Sequence, residues 1–247
     1  MADRRPSFPM GLAAAGLVLL SACASTAPPA LPTRPVLLLG EVHDNAQQHA
    51  QRLQLFEALL ASGARPALAM EQLDRDRQGA IDALRGRRPP AGASEIVRAG
   101  APDESGWNWD FYRPFIALAL QHDLPIVAAN VSRAEARQVM QLGLAARGFD
   151  AEVPADVLTA HSQSIQASHC GMVDAPTAAR MARAQVARDQ FMARVLEDNA
   201  ARGVVLLAGN GHVRTDVGAP RWLSAATRAR SQADRKSDSS YPLPVLP

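Results

Sequence analysis

Apolar residues along this chain fall into short uninterrupted runs separated by stretches with helical spacing. The runs are Val36-Leu37-Leu38-Leu39, Ala67 to Met70, Pro125 to Ala129 and Val204 to Ala208. A strand covered on both faces has no polar side to alternate with, so such runs read as buried strands. Asn45 to Ala61 carries Leu53, Phe56, Leu59 and Leu60 on one helical stripe, with Asp44 or Asn45 as its cap. Asp74 to Leu84 reads as a polar helix and Phe111 to His122 as an apolar one. Residues 86–105, rich in Gly, Pro and Ala, read as a long loop or a short helix. Ser132 to Leu142 has a capping serine and Glu135 in the capping-box position. Residues 143–175 are irregular or helical. Asp174 and Pro176 open a long helix to Asn199, and Trp222 to Arg228 forms a last one. Alternating β and α segments predict an α/β fold: a mainly parallel sheet with helices on both faces and a helical insertion, 143–200 with its long helix, before the last strand.

The first residues follow a different pattern. Arg4 and Arg5 precede an apolar run from Met10 to Leu20, and Leu20-Ser21-Ala22-Cys23 closes it. That order is the signature of a secretory signal. The run falls short of the roughly 20 residues a spanning helix needs. The Leu-Ser-Ala-Cys string resembles a lipobox, which implies cleavage after residue 22 and acylation of Cys23. With Ala24 rather than an aspartate next, the resemblance implies an outer-membrane address facing the periplasm. Residues 23–34, rich in Pro, Ala and Thr, read as lipid anchor and tether. The domain then runs over 35–229, and 230–247 is expected to be a disordered tail.

Net charge is only +2, which argues against general nucleic-acid binding. With Cys23 acylated, Cys170 has no disulfide partner, and the sequence reads it as a buried, inert thiol.

Open parallel sheets bind ligands beyond the carboxyl ends of their strands. Here those ends carry Gly40-Glu41-Val42-His43, Glu71-Gln72, Asn130-Val131-Ser132-Arg133 and Gly209-Asn210-Gly211-His212. Two of the four are Gly-x-x-His. Two imidazoles with one or two carboxylates suit zinc, manganese or iron, and such a metal activates water for hydrolysis. His43, His212, Glu71 and Glu41 are the candidate ligands. Glu41 and Glu71 are also the candidate catalytic bases, with their roles left open, and Asn130 can orient one of them. The same groups can instead form a purely structural hydrogen-bond network.

Gly40-Glu41-Val42-His43-Asp44-Asn45, Met70-Glu71-Gln72, Ala129-Asn130-Val131-Ser132-Arg133, His169-Cys170-Gly171-Met172 and Gly209-Asn210-Gly211-His212 together resemble the ChaN family of lipoproteins. Trp109, Tyr112 and Pro114 fit it as well, and the likeness spans about residues 35–225. The resemblance implies haem binding in iron uptake, a haem or outer-membrane haem transporter as partner, and a homodimer. It also implies kinship with Tiki-type metalloproteases and erythromycin esterase-like proteins, whose paired Gly-x-x-His motifs and glutamate match His43, His212 and Glu71. Family haem ligation by tyrosine points to Tyr112 or Tyr241. Other haem-binding candidates are His169 and Met172 as ligands and Arg188 as a propionate partner. His161, Cys170, Met181 and Met192 lie in the same stretch. Two functions therefore stand: a haem-binding lipoprotein held on the membrane by Cys23, and a metal-dependent hydrolase.

Overall fold

The computed structural model describes Met1 and residues 35–103 and 106–234. The signal peptide, Cys23, the tether and Tyr241 lie outside the described residues. The chain runs β1 (Val36–Glu41), α1 (Ala46–Ala61), β2 (Ala67–Asp74), α2 (Gln78–Arg85), α3 (Ala93–Gly100), α4 (Trp109–Gln121), β3 (Ile126–Asn130), α5 (Arg133–Leu142), α6 (Ala155–Ser168), α7 (Ala175–Asn199), β4 (Val204–Gly209), α8 (Ala225–Arg230) and β5 (Ser231–Asp234). The strands form one sheet in the order β3-β2-β4-β1-β5, and every described pairing is parallel.

Alternate residues of each strand point to opposite faces, and the two cores follow that rule. Leu37, Leu39, Leu68, Met70, Val205 and Leu207 pack under α1, α3 and α4 through Phe56, Ile96, Phe115 and Ile116. Val36, Leu38, Ala69, Val204 and Leu206 face the other way, against Met192, Val195 and Leu196 of α7. α6 lies beyond α7 and completes a separate helical core with α5, through Val139, Val157, Val186 and Ala187. The predicted α/β architecture, with covered faces and a helical insertion before β4, is what the chain forms.

Caps explain several boundaries. Asn45 accepts from the Gln48 amide, Ser132 from that of Glu135, and Asp174 from that of Thr177. Glu135 does not close a capping box. Its carboxylate takes Arg75 and Arg147 instead, at 2.6 and 3.0 Å, because a charged partner outbids a backbone amide.

Four details depart from expectation. Residues 231–234 do not belong to a disordered tail: they form β5 and pair with β1, where Asp234 adds negative charge facing the buried Arg52. β2 continues past Met70, with a register shift against β3 between Met70 and Asp74. Cys170 is exposed rather than buried, because it sits in the tight α6–α7 turn with φ 52°. The last helix starts later than expected, at Ala225, after a short 3-10 turn over Ala219–Trp222.

Candidate functional site: a carboxylate–imidazole network at the strand ends

Both Gly-x-x-His segments follow strands β1 and β4, which are neighbours in the sheet, so the two motifs meet at one rim. The register shift in β2 brings the third component. Glu71 lies within it, and its Oε2 accepts from the Gly209 amide at 2.7 Å. Gln72, the next residue, donates from Nε2 to Glu41 Oε1 at 3.3 Å. Glycine at 209 lets the His43 ring lie close against the strand end. A Cβ there would stand 2.9 Å from Cε1 of His43 and 3.0 Å from its Nε2.

The network has two halves. In the first, Glu41 is a hub. Its Oε1 lies 2.9 Å from Nδ1 of His43 and accepts from the Tyr112 hydroxyl at 2.7 Å. Its Oε2 lies 3.0 Å from Nδ1 of His49. Burial by itself would raise the Glu41 pKa, yet the bonds from His43, His49 and Tyr112 outweigh it and hold the carboxyl below its usual value. Burial beside that carboxylate raises the Tyr112 phenol far above its ordinary value.

In the second half, His212 lies between two carboxylates. Its Nδ1 meets Asp189 Oδ1 at 2.7 Å and its Nε2 meets Glu71 Oε1 at 3.3 Å. Asp189 Oδ2 in turn lies 3.2 Å from Nε2 of His161. Burial disfavours the imidazolium, but the charges of Glu71 and Asp189 win, and the His212 pKa rises to about 10. Burial likewise opposes ionisation of Glu71, and His212 and His43 with the Gly209 amide overcome it, to about 2. The buried His212 and Glu71 are thus both charged at neutral pH.

His43 is the network's opening to solvent. Its side chain is 47% exposed, against 10% for that of His212. Trp107 stands edge-on to the ring at 4.7 Å between centroids. A cavity of about 520 Å³ lies alongside, bordered by Glu71, Gln72, Trp107, Asn130 and Arg188. Arg188 donates from Nε to Asn130 Oδ1 at 3.1 Å. Chemically, Glu41 can orient His43 and favour its protonated form, since the His43 pKa is raised despite burial.

The structure therefore gathers Glu41, His43, Glu71 and His212, but not as a metal cage. Among the described residues no group of three or more His, Cys, Asp and Glu side chains is placed to hold a metal ion. Both nitrogens of His212 already face carboxylates, and Glu41 already serves His43 and Tyr112. The expected zinc, manganese or iron set does not fit.

The expected haem residues do not converge. Tyr112 is 0% exposed and bonded to Glu41, so its oxygen cannot meet a cofactor from solvent. His169 and Met172 sit in the α6–α7 turn, with Met172 84% exposed. Arg188 is about 20 Å further along α7 from its first residue, at 1.5 Å per residue. His169 has no ion pair among the described residues, and its Nδ1 lies 2.8 Å from the Ile165 carbonyl.

Gln72, quoted with Glu71 at the strand end, takes its place in the network, whereas His49 and Asp189 were missed in sequence. The signal existed for both. His49 is four residues before Leu53 on the buried stripe of α1. Asp189, fully buried, lies three residues after Val186 and three before Met192 on that of α7. A polar residue on an apolar stripe marks a buried partner.

A doubly covered parallel sheet with a buried carboxylate–imidazole network at its carboxyl rim defines the class of protein. Comparison narrows it. The family model described as "Haem-binding uptake, Tiki superfamily, ChaN" matches residues 29–223, and the chain belongs to this family. Among solved structures it is similar to that of "Cofacial heme binding to ChaN of Campylobacter jejuni", with 24% identity and a TM-score of 0.65, over 77% of this chain and 76% of that one. That likeness establishes the shared fold. A mutant erythromycin esterase, EreC, in its open conformation has 14% identity and a TM-score of 0.48, over 81% of this chain and 69% of that one, too slight a likeness to bear on function. No curated protein matches the sequence.

Proposed function

We propose that this protein binds haem and acts in haem or iron uptake as a lipoprotein. The observation that carries the reading is membership of a family described as haem-binding, over residues 29–223. His169 is the first candidate for the iron ligand, because its engaged Nδ1 leaves Nε2 free to coordinate. Acylated Cys23 anchors the protein in the outer membrane facing the periplasm, where it passes haem to or from a membrane transporter, with a second copy of the chain as partner.

Haemin titration of the purified protein tests the reading. A saturable Soret band is expected, shifted or weakened in His169→Ala. Absence of saturable binding overturns it. Cys23→Ser is expected to release the protein from membranes, and unchanged attachment refutes the anchor.

The half-exposed His43, oriented by Glu41, favours a second reading as a hydrolase that works by acid–base catalysis. It expects hydrolysis of activated esters that is lost in His43→Ala. Equal rates for the two proteins dismiss it.

A further inference from the structure

The cavity of about 520 Å³ at the carboxyl rim has two walls of opposite character. One is the end of β2, where the register shift brings Asp74 opposite Asn130 of β3. Gln72 and the half-buried Asp74 line this wall. The other is the beginning of α5, through Ala134 and Arg137, with Arg188 of α7 beside it. Cavities of about 300–1,000 Å³ are the size of small-molecule sites.

Most charges around the cavity are already matched. Glu71 takes His212 and the Gly209 amide. Arg77 lies 3.9 Å from Asp76, and Arg133 reaches Asp103 at 3.1 Å. Three groups are left over. Asp74 makes no hydrogen bond or ion pair among the described residues. Burial raises its pKa, and the charges of Arg188 and Arg77 fall short of reversing that shift. Arg137 is exposed and has no carboxylate partner among the described residues. Arg188 donates Nε to Asn130 and meets no carboxylate there. Asp74 and Arg188 thus sense each other's charge without touching. Gln72 adds an acceptor to the β2 wall, since its Nε2 goes to Glu41 and its buried Oε1 has no donor. The N-terminus of α5 adds the positive end of its dipole to the other wall.

An acceptor wall facing a donor wall suits a ligand that is neutral overall and carries its two charges apart. We propose that the cavity binds a small zwitterion of the short-peptide kind, its ammonium on Asp74 beside Gln72 and its carboxylate between Arg137, Arg188 and the start of α5. Guanidinium groups pair carboxylates through two parallel hydrogen bonds, and helix N-termini attract anions. The ammonium supplies the positive charge that burial leaves Asp74 short of. A simple anion would satisfy the arginines but repel Asp74, and a simple cation would do the reverse. Trp107, half-buried at the same cavity, offers an aromatic surface to the part of the ligand between its charged ends. The site is independent of haem, and either can exist without the other.

Isothermal titration calorimetry of the full chain with glycylglycine tests the site, alongside N-acetylglycylglycine, which lacks the ammonium, and glycylglycinamide, which lacks the carboxylate. Glycylglycine is expected to bind saturably, and each capped form about tenfold or more weakly, through loss of one charge-assisted contact. Two conservative variants carry the assignment to residues, with circular dichroism as a check on folding. Asp74→Asn should bind glycylglycine weakly and lose the preference over the acetylated form, yet still discriminate against the amide. Arg137→Gln should lose discrimination against the amide and keep the other. Arg183→Gln, exposed on α7 and outside the cavity lining, should bind like the wild type. No saturable binding of glycylglycine to the wild type overturns the site. So does equal binding of the peptide and both capped forms, or equal affinity of the wild type and both cavity variants. Where a variant fails to fold, the capped peptides on the wild type decide alone.

Discussion

His212, on the loop after β4, places its Nδ1 2.7 Å from Oδ1 of Asp189 on α7. This contact ties the sheet rim to the helical layer and completes a buried chain from Glu71 through His212 and Asp189 to His161. His212→Ala removes the cation and leaves two buried carboxylates facing each other. Breaking one partner out of such a pair costs about 3–5 kcal/mol. Urea denaturation should show a loss of that size. A change below about 1 kcal/mol, typical of exposed pairs, would mean that the network is not closed in solution.

The same network sets a pH profile. The folded-state pKa of His212 is raised from 6.5 to about 10, so its contribution is complete below pH 6.5 and is lost as pH rises through about 10. That of Glu71 is lowered from 4.5 to about 2, so its contribution is complete above pH 4.5 and is lost as pH falls towards 2. Stability should peak between about pH 4.5 and 6.5. His43 is shifted in the same direction as His212, but its half-exposed ring adds little after solvent screening. Urea midpoints measured from pH 3 to 10 read the profile, and a midpoint that keeps rising from pH 7 to 10 contradicts it.

Gly40 and Gly211 make a matched pair, the first glycines of the sheet rim and its loop. A Cβ on Gly40 would stand 2.4 Å from Cγ2 of Val213 and 2.6 Å from Oδ1 of Asn210, whereas one on Gly211 meets nothing within 4 Å. Gly40→Ala should destabilise by about 1–3 kcal/mol, the usual cost of overpacking. Gly211→Ala should change stability by under about 0.5 kcal/mol. Thermal melts of the two variants check the contrast, and equal losses would refute the close approach.

Tyr112→Phe separates a structural tyrosine from a haem ligand. Its hydroxyl donates to Glu41 inside the core, and losing a hydrogen bond to a charged group costs about 1.5–3 kcal/mol. The variant should lose stability on that scale while its haemin spectrum stays unchanged. A displaced Soret maximum would instead make Tyr112 a ligand.

Much of the fold was legible because burial imposes a pattern. Four strands read as unbroken apolar runs, and all four are in the sheet. Asn45, Ser132 and Asp174 cap the helices they precede, since capping depends on neighbours within one turn. β5 was not legible. Ser231-Gln232-Ala233-Asp234 has no apolar run, and its strand form comes from the free edge of β1.

The candidate site divides in the same way. The amino-acid sequence by itself determined which polar groups stand at the strand ends: Glu41, His43, Glu71 and His212 each follow or end an apolar run, and topology alone delivers them to one rim. The tertiary structure decided what those groups do there. The register shift in β2 turns Glu71 to Gly209, while His49, Tyr112 and Asp189 arrive from helices distant in sequence. Side-chain partners across a core are set by packing between elements, which no spacing along one segment encodes. Two imidazoles and two carboxylates that read as metal ligands are, in three dimensions, already bonded to their neighbours.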